Sequence, residues 1–428
     1  MAGGRRSVEE HARHVATLLS PLLIRGIEPV PLLEALGRVL AEEVVAPIDL
    51  PTFRNSQMDG YAVDTASLTA APATLPVRAV LAAGDGVVAH VPGTATKIMT
   101  GAPLPTGADA VVPPVEDTVP VEDTVPVEDT VPVEDTVPVE DTVPVEDTAA
   151  EGRGLRVTVC RLPEPGAYVR ERGSDIHRGR TLLPAGTVVA ARHVAALAAV
   201  GLTHVSVRTR PRVAVISTGS ELVPGGSVLA PGKIHDSNGP ALAASAAANG
   251  ALVVSVDRSG DDAEVFAAKL ARAASVAEVV FTSGGVSKGD FEVVKDVLGP
   301  RGAEFVSVAM QPGGPQGTAL VDSVPVLTFP GNPVSALVSF EVFARPVLRA
   351  AAGLPAVEPE TRPLSTGLSS VPGKRQFLRA RRDGGAVVAI PGAGSHLIAA
   401  MATADVLLDI PADTSDLEPG ELVKVLPL

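Results

Sequence analysis

Four short stretches of this chain pass from a strand-like run or a loop into a helical pattern through residues suited to holding an anion. Ser217-Thr218-Gly219-Ser220-Glu221 follows RVAVI, and Asp236-Ser237-Asn238 precede Gly-Pro and an Ala-rich run. Ser283-Gly284-Gly285 follows EVVFT and leads on to Ser287 and Asp290, while Pro330-Gly331-Asn332-Pro333 follows VPVLTF. Glycine lets a backbone approach a ligand closely, and the first amides of a helix have no partner within it, so such corners attract oxyanions. Phosphate or another tetrahedral oxyanion is the natural guest. The same residue types also serve any tight turn or helix cap, but four such corners in one region favour the ligand. No GxxxxGK[ST] loop and no GxGxxG occurs, so the site is not a standard nucleotide fingerprint. Carboxylates stand at turns nearby in type: Asp59 in QMDGYA, Asp175 in RGSDI, Glu221, Asp261 and Asp290. One or two carboxylates together with substrate phosphates are the usual ligands of magnesium. Asp59, directly before Gly60, is also a plausible turn former. His11 and His14 share a helical pattern without HExxH and read as partly buried helix residues.

These corners need a scaffold. RVAVIST, ALVVSVD, AEVVFTS and VPVLTFP are β-branched runs separated by Ala-rich helical segments, which predicts a parallel sheet covered on both faces, with ligands beyond the carboxyl ends of its strands. Upstream, Ser7 and Glu10 form a capping box for a helix carrying Val8, His11, Val15, Leu18, Leu19 and Leu22. PVPLLEALGRVLAEEVV reads as a second helix, with Leu32, Leu36, Val39 and Leu40 on one face. From about Asp64 to Arg180, short Val-rich strands and Gly/Pro turns predict a β-rich domain. Pro355 to Pro363 reads as a linker before a small β domain.

Residues 115–148 hold six copies of Val-Glu-Asp-Thr joined by Val-Pro. A proline every six residues removes a backbone donor each time, which excludes a helix or a central strand. Six hexads give only about two coils of a β-helix, too few to bury a core, so the surplus copies are expected to be disordered at a surface turn.

A length of 428 residues suggests three or four domains. The formal charge is −14, but the six Glu-Asp pairs of the array supply twelve negative charges, leaving −2 on the rest. With no Trp and only eleven Phe and Tyr, that background excludes a basic, aromatic nucleic-acid surface. The single cysteine, Cys160, rules out a disulfide framework and reads as a small buried hydrophobe in a reducing, cytoplasmic setting. The N-terminal MAGGRRSVEEHARH lacks the apolar run of a signal peptide, and the two uncharged stretches of membrane-span length contain Gly-Pro and Pro-Gly-Asn-Pro, so no membrane association is expected.

Read in order, NSQMDGYAVD, KIMTGAPLPTGADAVVP, RGSDIHRG, STGSEL, SGGVSKGD and FPGNPVSA make the chain resemble the MoeA/gephyrin family of molybdopterin molybdenumtransferases over nearly its whole length. The resemblance implies a multidomain α/β plus β protein: a three-layer α/β domain of the molybdopterin-binding type over 211–352, and a C-terminal β-barrel-like domain over 355–428. It also implies a β-rich domain from 27–46 and 58–177, and a helical linker and dimerisation domain from 7–26, 47–57 and 178–210. The implied activity is insertion of molybdenum from molybdate into adenylylated molybdopterin, with magnesium-dependent hydrolysis of the adenylate to AMP. The implied assembly is a homodimer with a shared cleft, supplied by an upstream molybdopterin adenylyltransferase. By motif, Asp59, Thr100 and Asp175 would line the cleft from the partner subunit, with Asp59, Asp175, Glu221 and Asp290 in catalysis. Glu221 and Asp290 would hold magnesium. Gly284, Gly285, Ser287, Pro330 and Pro333 would shape the pterin and nucleotide pocket, and the other corner residues Thr218, Gly219, Asp236, Asn238, Asp261, Ser283 and Asn332 join them as substrate-binding candidates. GKRQFLR and GSHLIAAM nominate Arg379 and Ser395 for molybdate. The sequence departs from the family at Gln311 and Gly314, where many members have lysines, at Lys374, where Arg is usual, and in the repeat, where the family has one copy. A non-catalytic pterin-binding scaffold and a molybdopterin adenylyltransferase are the competing readings; the Asp59 and Asp175 segments argue against the latter.

Overall fold

A computed structural model describes residues 5–113, 118–121, 154–286, 292–392 and 394–428. Its chain divides into two compact units, one of Met1–Glu43, Pro184–Val194 and Thr203–Leu428, the other of Val44–Leu183 and Ala195–Leu202. Segment 27–43 thus packs with the first unit, and 47–57 with the second.

The first unit is built on a six-stranded sheet. Its strands are β1 (Arg212–Thr218), β2 (Leu252–Ser259), β3 (Val279–Ser283), β4 (Glu304–Ser307), β5 (Pro315–Val321) and β6 (Val324–Phe329), in the order β2-β1-β3-β6-β5-β4. The four runs that read as parallel strands are parallel, β2 to β1, β1 to β3 and β3 to β6. The sheet is nevertheless mixed, because β5 and β4 continue it antiparallel. A short turn at Asp322 and Ser323, both with positive φ, joins β5 to β6, and such a hairpin can only be antiparallel.

Alternation along β1 sends Val213 and Val215 to one face and Ala214 and Ile216 to the other, and each pair is fully buried in a different core. On the first face lie helices α1 (Val8–Leu18), α2 (Asn238–Ala248), α5 (Pro333–Ser339) and α6 (Arg345–Ala352), the last two joined by a π turn. On the second lie α3 (Ala263–Val276) and α4 (Val293–Leu298), through Phe266, Leu270, Val294 and Leu298.

The capping box of α1 forms as its sequence predicts: Ser7 Oγ accepts from Glu10 N at 3.1 Å and Glu10 Oε2 from Ser7 N at 2.8 Å. Within α1, His11 is 1% exposed, edge-on to Phe343 at 4.6 Å between ring centres. Burial, then the charge of Arg6, pushes its pKa down to about 4. The folded state therefore holds His11 neutral while the unfolded chain takes up a proton below about pH 6.5. Stability should be fully present above that pH and fall by about 3 kcal/mol as pH drops toward 4. Urea unfolding at pH 7 and pH 5 checks this: His11→Leu is expected to lose most of the difference between the two.

The second expected helix does not form. Ile27–Pro31 is a strand paired antiparallel with His204–Arg208, followed by turns to Gly37 (φ +73°) and by bridges from Val39 and Leu40. Pro29 and Pro31 withhold donors and Gly37 breaks the run, so the apolar spacing is met by a strand and turns instead.

The C-terminal part of this unit has its own core around Leu364, Val406, Leu408 and Val425. Strands Glu360–Pro363, Leu422–Pro427, Val406–Ile410, Arg375–Asp383 and Ala386–Ala389 pair in succession, and a bridge from Leu364 to Val387 joins the ends, giving the barrel-like closure expected. No helix among the described residues is long and apolar enough to cross a membrane.

The second unit is β-rich. Its six-stranded sheet runs Ala110–Val112, Gly60–Val63, Ala95–Ile98, Ala73–Leu81, Arg156–Val159, Thr118–Val121. The last of these comes from the first and second repeat copies and pairs with Arg156–Val159 at the sheet edge, where a strand tolerates Pro120. The remaining copies lie outside the described residues. Cys160 is exposed, not buried: Val157 and Val159 take the inward positions, and the next residue leaves the sheet.

Candidate active site

The corners predicted from sequence meet at the carboxyl ends of β1, β3 and β6, around a cavity of about 1070 Å³. Thr218, Gly219, Glu221, Asp236, Asn238, Asp261, Gly284, Gly285, Pro330, Asn332, Pro333 and Ser395 all line it. Hydrogen bonds between the corners fix their mutual placement. Asn238 Nδ2 donates to Ser283 Oγ and to the Gly331 carbonyl, both at 2.7 Å, and Ser283 Oγ donates to the Pro330 carbonyl at 3.2 Å. Thr218 Oγ1 donates to the Ser283 carbonyl at 3.1 Å. Ser283 is buried beneath the rim, so it positions its neighbours and does not itself line the cavity. Ser287 and Asp290 lie outside the described residues.

Glycine is required at the third corner. Gly284 has φ +97°, and a Cβ there would sit 2.6 Å from the Thr218 carbonyl oxygen; Gly285 has φ +65° and would meet Val294 at 2.7 Å. The start of α5 carries Asn332 as its cap residue, without a side-chain cap, and Pro333 in its first turn; Val334 N donates to the Ser395 carbonyl at 3.0 Å, which brings the C-terminal domain to the cavity. At α2 the cap residue Ser237 makes no side-chain cap bond, and the preceding Asp236 accepts from Gly239 N through Oδ1 at 3.0 Å, while its buried Oδ2 has no hydrogen bond among the described residues. Arg258 approaches that oxygen at 3.8 Å.

Three carboxylates thus edge the cavity in different states. Asp236 is buried and half-satisfied, and Asp261 accepts a hydrogen bond from Ser220 Oγ. The Glu221 carboxylate is exposed to the cavity and makes no hydrogen bond or ion pair with any described residue; it folds back over Gly219, where a Cβ would lie 2.5 Å from its Oε2. Among the described residues no group of three His, Cys, Asp or Glu could enclose a metal ion. The arrangement fits a cation that takes most of its ligands from a bound phosphate and only one or two from protein, with Glu221 as the available donor.

Arg379 does not reach the cavity. The residue is 5% exposed and its guanidinium donates to the carbonyls of Gly392, Gly394 (3.2 Å) and Leu397 (3.0 Å), tying together the loop that carries Ser395. Among the described residues, Lys374 and Arg5 are the basic side chains that line the cavity, together with His235 and His396. The sequence expectations do not include these four as site residues; His396 stands within GSHLIAAM and His235 directly precedes Asp236, whereas Arg5 has no local signal. Arg379→Met should lower the melting temperature, at a cost of about 2 to 4 kcal/mol from three abandoned buried carbonyls, whereas Lys374→Met should leave melting unchanged and weaken oxyanion binding. Parallel thermal melts and molybdate titrations separate the two roles.

In the second unit, Asp59 Oδ1 accepts from Thr100 N at 2.7 Å and from Thr100 Oγ1 at 2.8 Å, and these bonds hold the Asp59 carboxyl below its usual range. Gly60, beside it, allows the Val112 carbonyl to pass where a Cβ would be 2.4 Å away, so the Asp-Gly pair also has a packing role. Asp175 stands exposed on a separate turn, its amide bonded to the Leu50 carbonyl at 2.9 Å.

Family models match the chain in three consecutive segments: the MoeA N-terminal region (domain I and II) over residues 6–201, a "Probable molybdopterin binding domain" over 214–350, and the MoeA C-terminal region (domain IV) over 361–428. The chain is 43% identical to molybdopterin molybdenumtransferase 2 of Mycobacterium tuberculosis, across 98% of this chain and 99% of the relative, and 35% identical to molybdopterin molybdenumtransferase 1 of the same organism, across 98% of each. Its fold is similar to that of the molybdopterin biosynthesis moeA protein of Pyrococcus horikoshii, with a TM-score of 0.73 at 30% identity over 99% of both chains. With all three regions present in order and the relatives matched end to end, the chain belongs to the MoeA family.

Proposed function

We propose that the protein is a molybdopterin molybdenumtransferase: it receives adenylylated molybdopterin, hydrolyses the adenylate to AMP, and places molybdenum from molybdate on the dithiolene, as the last step toward molybdenum cofactor. The supporting observation is the convergence of four Gly/Pro/Asn corners and one unpaired carboxylate, Glu221, on a single cavity inside the segment matched by the molybdopterin-binding model. In this reading the corner at Gly284 and Gly285 and the one at Pro330 to Pro333 present backbone to the diphosphate and pterin. Glu221, with Asp290, would hold magnesium, which when bound neutralises phosphate charge as the P–O bond is broken. Asp236, buried with its Oδ2 facing Arg258, fixes the corner at the start of α2, and Asp261, oriented by Ser220, limits where the phosphates can sit. Lys374 and Ser395 face the molybdate side.

The protein works in the cytoplasm as a homodimer that takes its substrate from an adenylyltransferase, and Asp59, Thr100 and Asp175 complete the cleft from the second copy. Mixing an inactive Asp59→Asn dimer with an inactive Glu221→Gln dimer should then restore activity to about a quarter of the parent at exchange equilibrium, because one cleft in each mixed dimer is intact. No recovery despite proven subunit exchange would place both residues in a cleft made by one chain.

The direct experiment incubates purified protein with adenylylated molybdopterin, magnesium and molybdate, and measures AMP and the activity of a reconstituted molybdoenzyme. Stoichiometric AMP and active cofactor are expected. Tight pterin binding without AMP release would favour a scaffold, a reading that Gln311 and Gly314 in the cavity lining support by leaving it short of positive charge. Adenylate formation from ATP would instead identify an adenylyltransferase.

A further inference from the structure

A second cavity of about 260 Å³, within the first unit, has a composition of another kind. It lies where the carboxyl ends of α2 and α6 meet the Leu36–Val39 segment, and among the described residues its lining includes Arg38, Arg208, Arg210 and Arg349 but no carboxylate. Two of the four guanidinium groups are committed to the framework. Arg38, only 9% exposed, donates to Glu28 Oε1 at 2.5 Å and to the Arg208 carbonyl at 2.7 Å. Arg349 donates to the Pro355 carbonyl at 2.8 Å and to Asn249 Oδ1 at 3.1 Å. The side chains of Arg208 and Arg210 make no hydrogen bond or ion pair with any described residue. Burial and the nearby charge of Arg38 depress the pKa of Arg210, with Glu28 offsetting only part, so positive charge here is under-compensated. Gly353, at φ +75°, makes room for Arg208: a Cβ there would lie 2.8 Å from Arg208 Cδ.

The carboxyl ends of helices attract cations, which is reason enough for Arg349 to stand where it does. It does not account for Arg208 and Arg210, which donate to none of the terminal carbonyls. Arg208 is exposed and Arg210 half-buried, and the one counter-charge close by, Glu28, is held by Arg38; guanidinium groups gathered on one cavity repel one another, and a bound oxyanion removes that repulsion while accepting their planar donors.

We propose that this cavity binds a tetrahedral oxyanion through Arg208 and Arg210, with Arg38 and Arg349 as its fixed rear wall. The site is distinct from the cavity of the α/β corners and does not depend on the molybdopterin reading. Phosphate and molybdate share the required chemistry, so each serves as a probe.

In wild-type protein at constant ionic strength, inorganic phosphate or molybdate should protect Arg208 and Arg210 from phenylglyoxal, read by peptide mass spectrometry, while chloride does not. Protection by molybdate at tenfold lower concentration than phosphate would make the site a store for the metal oxyanion; the reverse order would assign it to phosphate. The Arg208→Gln/Arg210→Gln variant should lose at least tenfold in oxyanion affinity by calorimetry while AMP release stays within threefold of the parent. The proposal is overturned if neither anion protects these arginines beyond chloride, or if the folded variant binds both anions as the parent does. Should the variant not fold, the protection experiment on the wild type decides alone.

Discussion

Replacing Glu221 by Gln should lower magnesium-dependent AMP release at least about 100-fold while leaving the melting temperature within a degree of the parent. The two halves of this outcome have separate causes. The carboxylate contacts no hydrogen-bond donor among the described residues, so an isosteric neutral amide costs the fold nothing. It is, however, the unpaired anion at the rim of the cavity, and the charge it presents to a cation is the property the amide lacks. Raising the magnesium concentration should recover part of the rate, since a weakened ligand set is filled by mass action. Asp261→Asn is the informative control, because Asp261 already holds Ser220, and its loss should shift substrate affinity more than turnover. Steady-state AMP release at several magnesium concentrations checks both variants. A Glu221→Gln rate within threefold of the parent at limiting magnesium would remove this residue from the metal's ligands.

Gly284→Ala should damage binding and stability together. The residue sits at φ +97°, and an added Cβ would press on the carbonyl oxygen of Thr218 at 2.6 Å and on its Oγ1 at 2.7 Å. A backbone oxygen in a central strand cannot yield as the end of a side chain can, so the corner itself must move. The strained conformation alone costs about 1 to 3 kcal/mol, and movement of the corner breaks the register of Thr218, Ser283 and Asn238 on which the cavity depends. Pterin affinity is expected to fall more than tenfold, with a clear drop in melting temperature. Gly232→Ala separates strain from crowding: Gly232 also has positive φ, +80°, but nothing lies within 4 Å of its Cβ position, so only a small loss of stability and no loss of affinity should follow. Equal effects of the two substitutions in calorimetric titration would deny the corner its special role.

The parallel strands of the α/β domain were legible because each is a β-branched run bounded by turn residues; β1, β3 and β6 are buried on both faces, and β2 keeps the same composition at the sheet edge. The α1 cap was legible for a similar reason: Ser7 and Glu10 act on amides within one turn. The corners that line the cavity were visible as glycine, proline and asparagine at strand ends, since those residue types answer to backbone constraints a few residues away. Pro29, Pro31 and Gly37 carried the warning against a second helix, and the apolar spacing beside them concealed it.

What could not be read locally was the use of each charge. Arg379 and Lys374 stand five positions apart in one segment and look equally able to meet an oxyanion. Packing of the Gly392 to Leu397 loop takes the first into a buried set of carbonyls and leaves the second at the cavity. Arg208 and Arg210 gave no signal at all, because their significance lies in the carbonyl and guanidinium groups that distant helices bring or fail to bring to them. Backbone conformation answers to short-range sterics and the period of apolar residues, which are written along the chain. The state of a charged side chain answers to burial and to partners far off in sequence, and those exist only once the chain has folded.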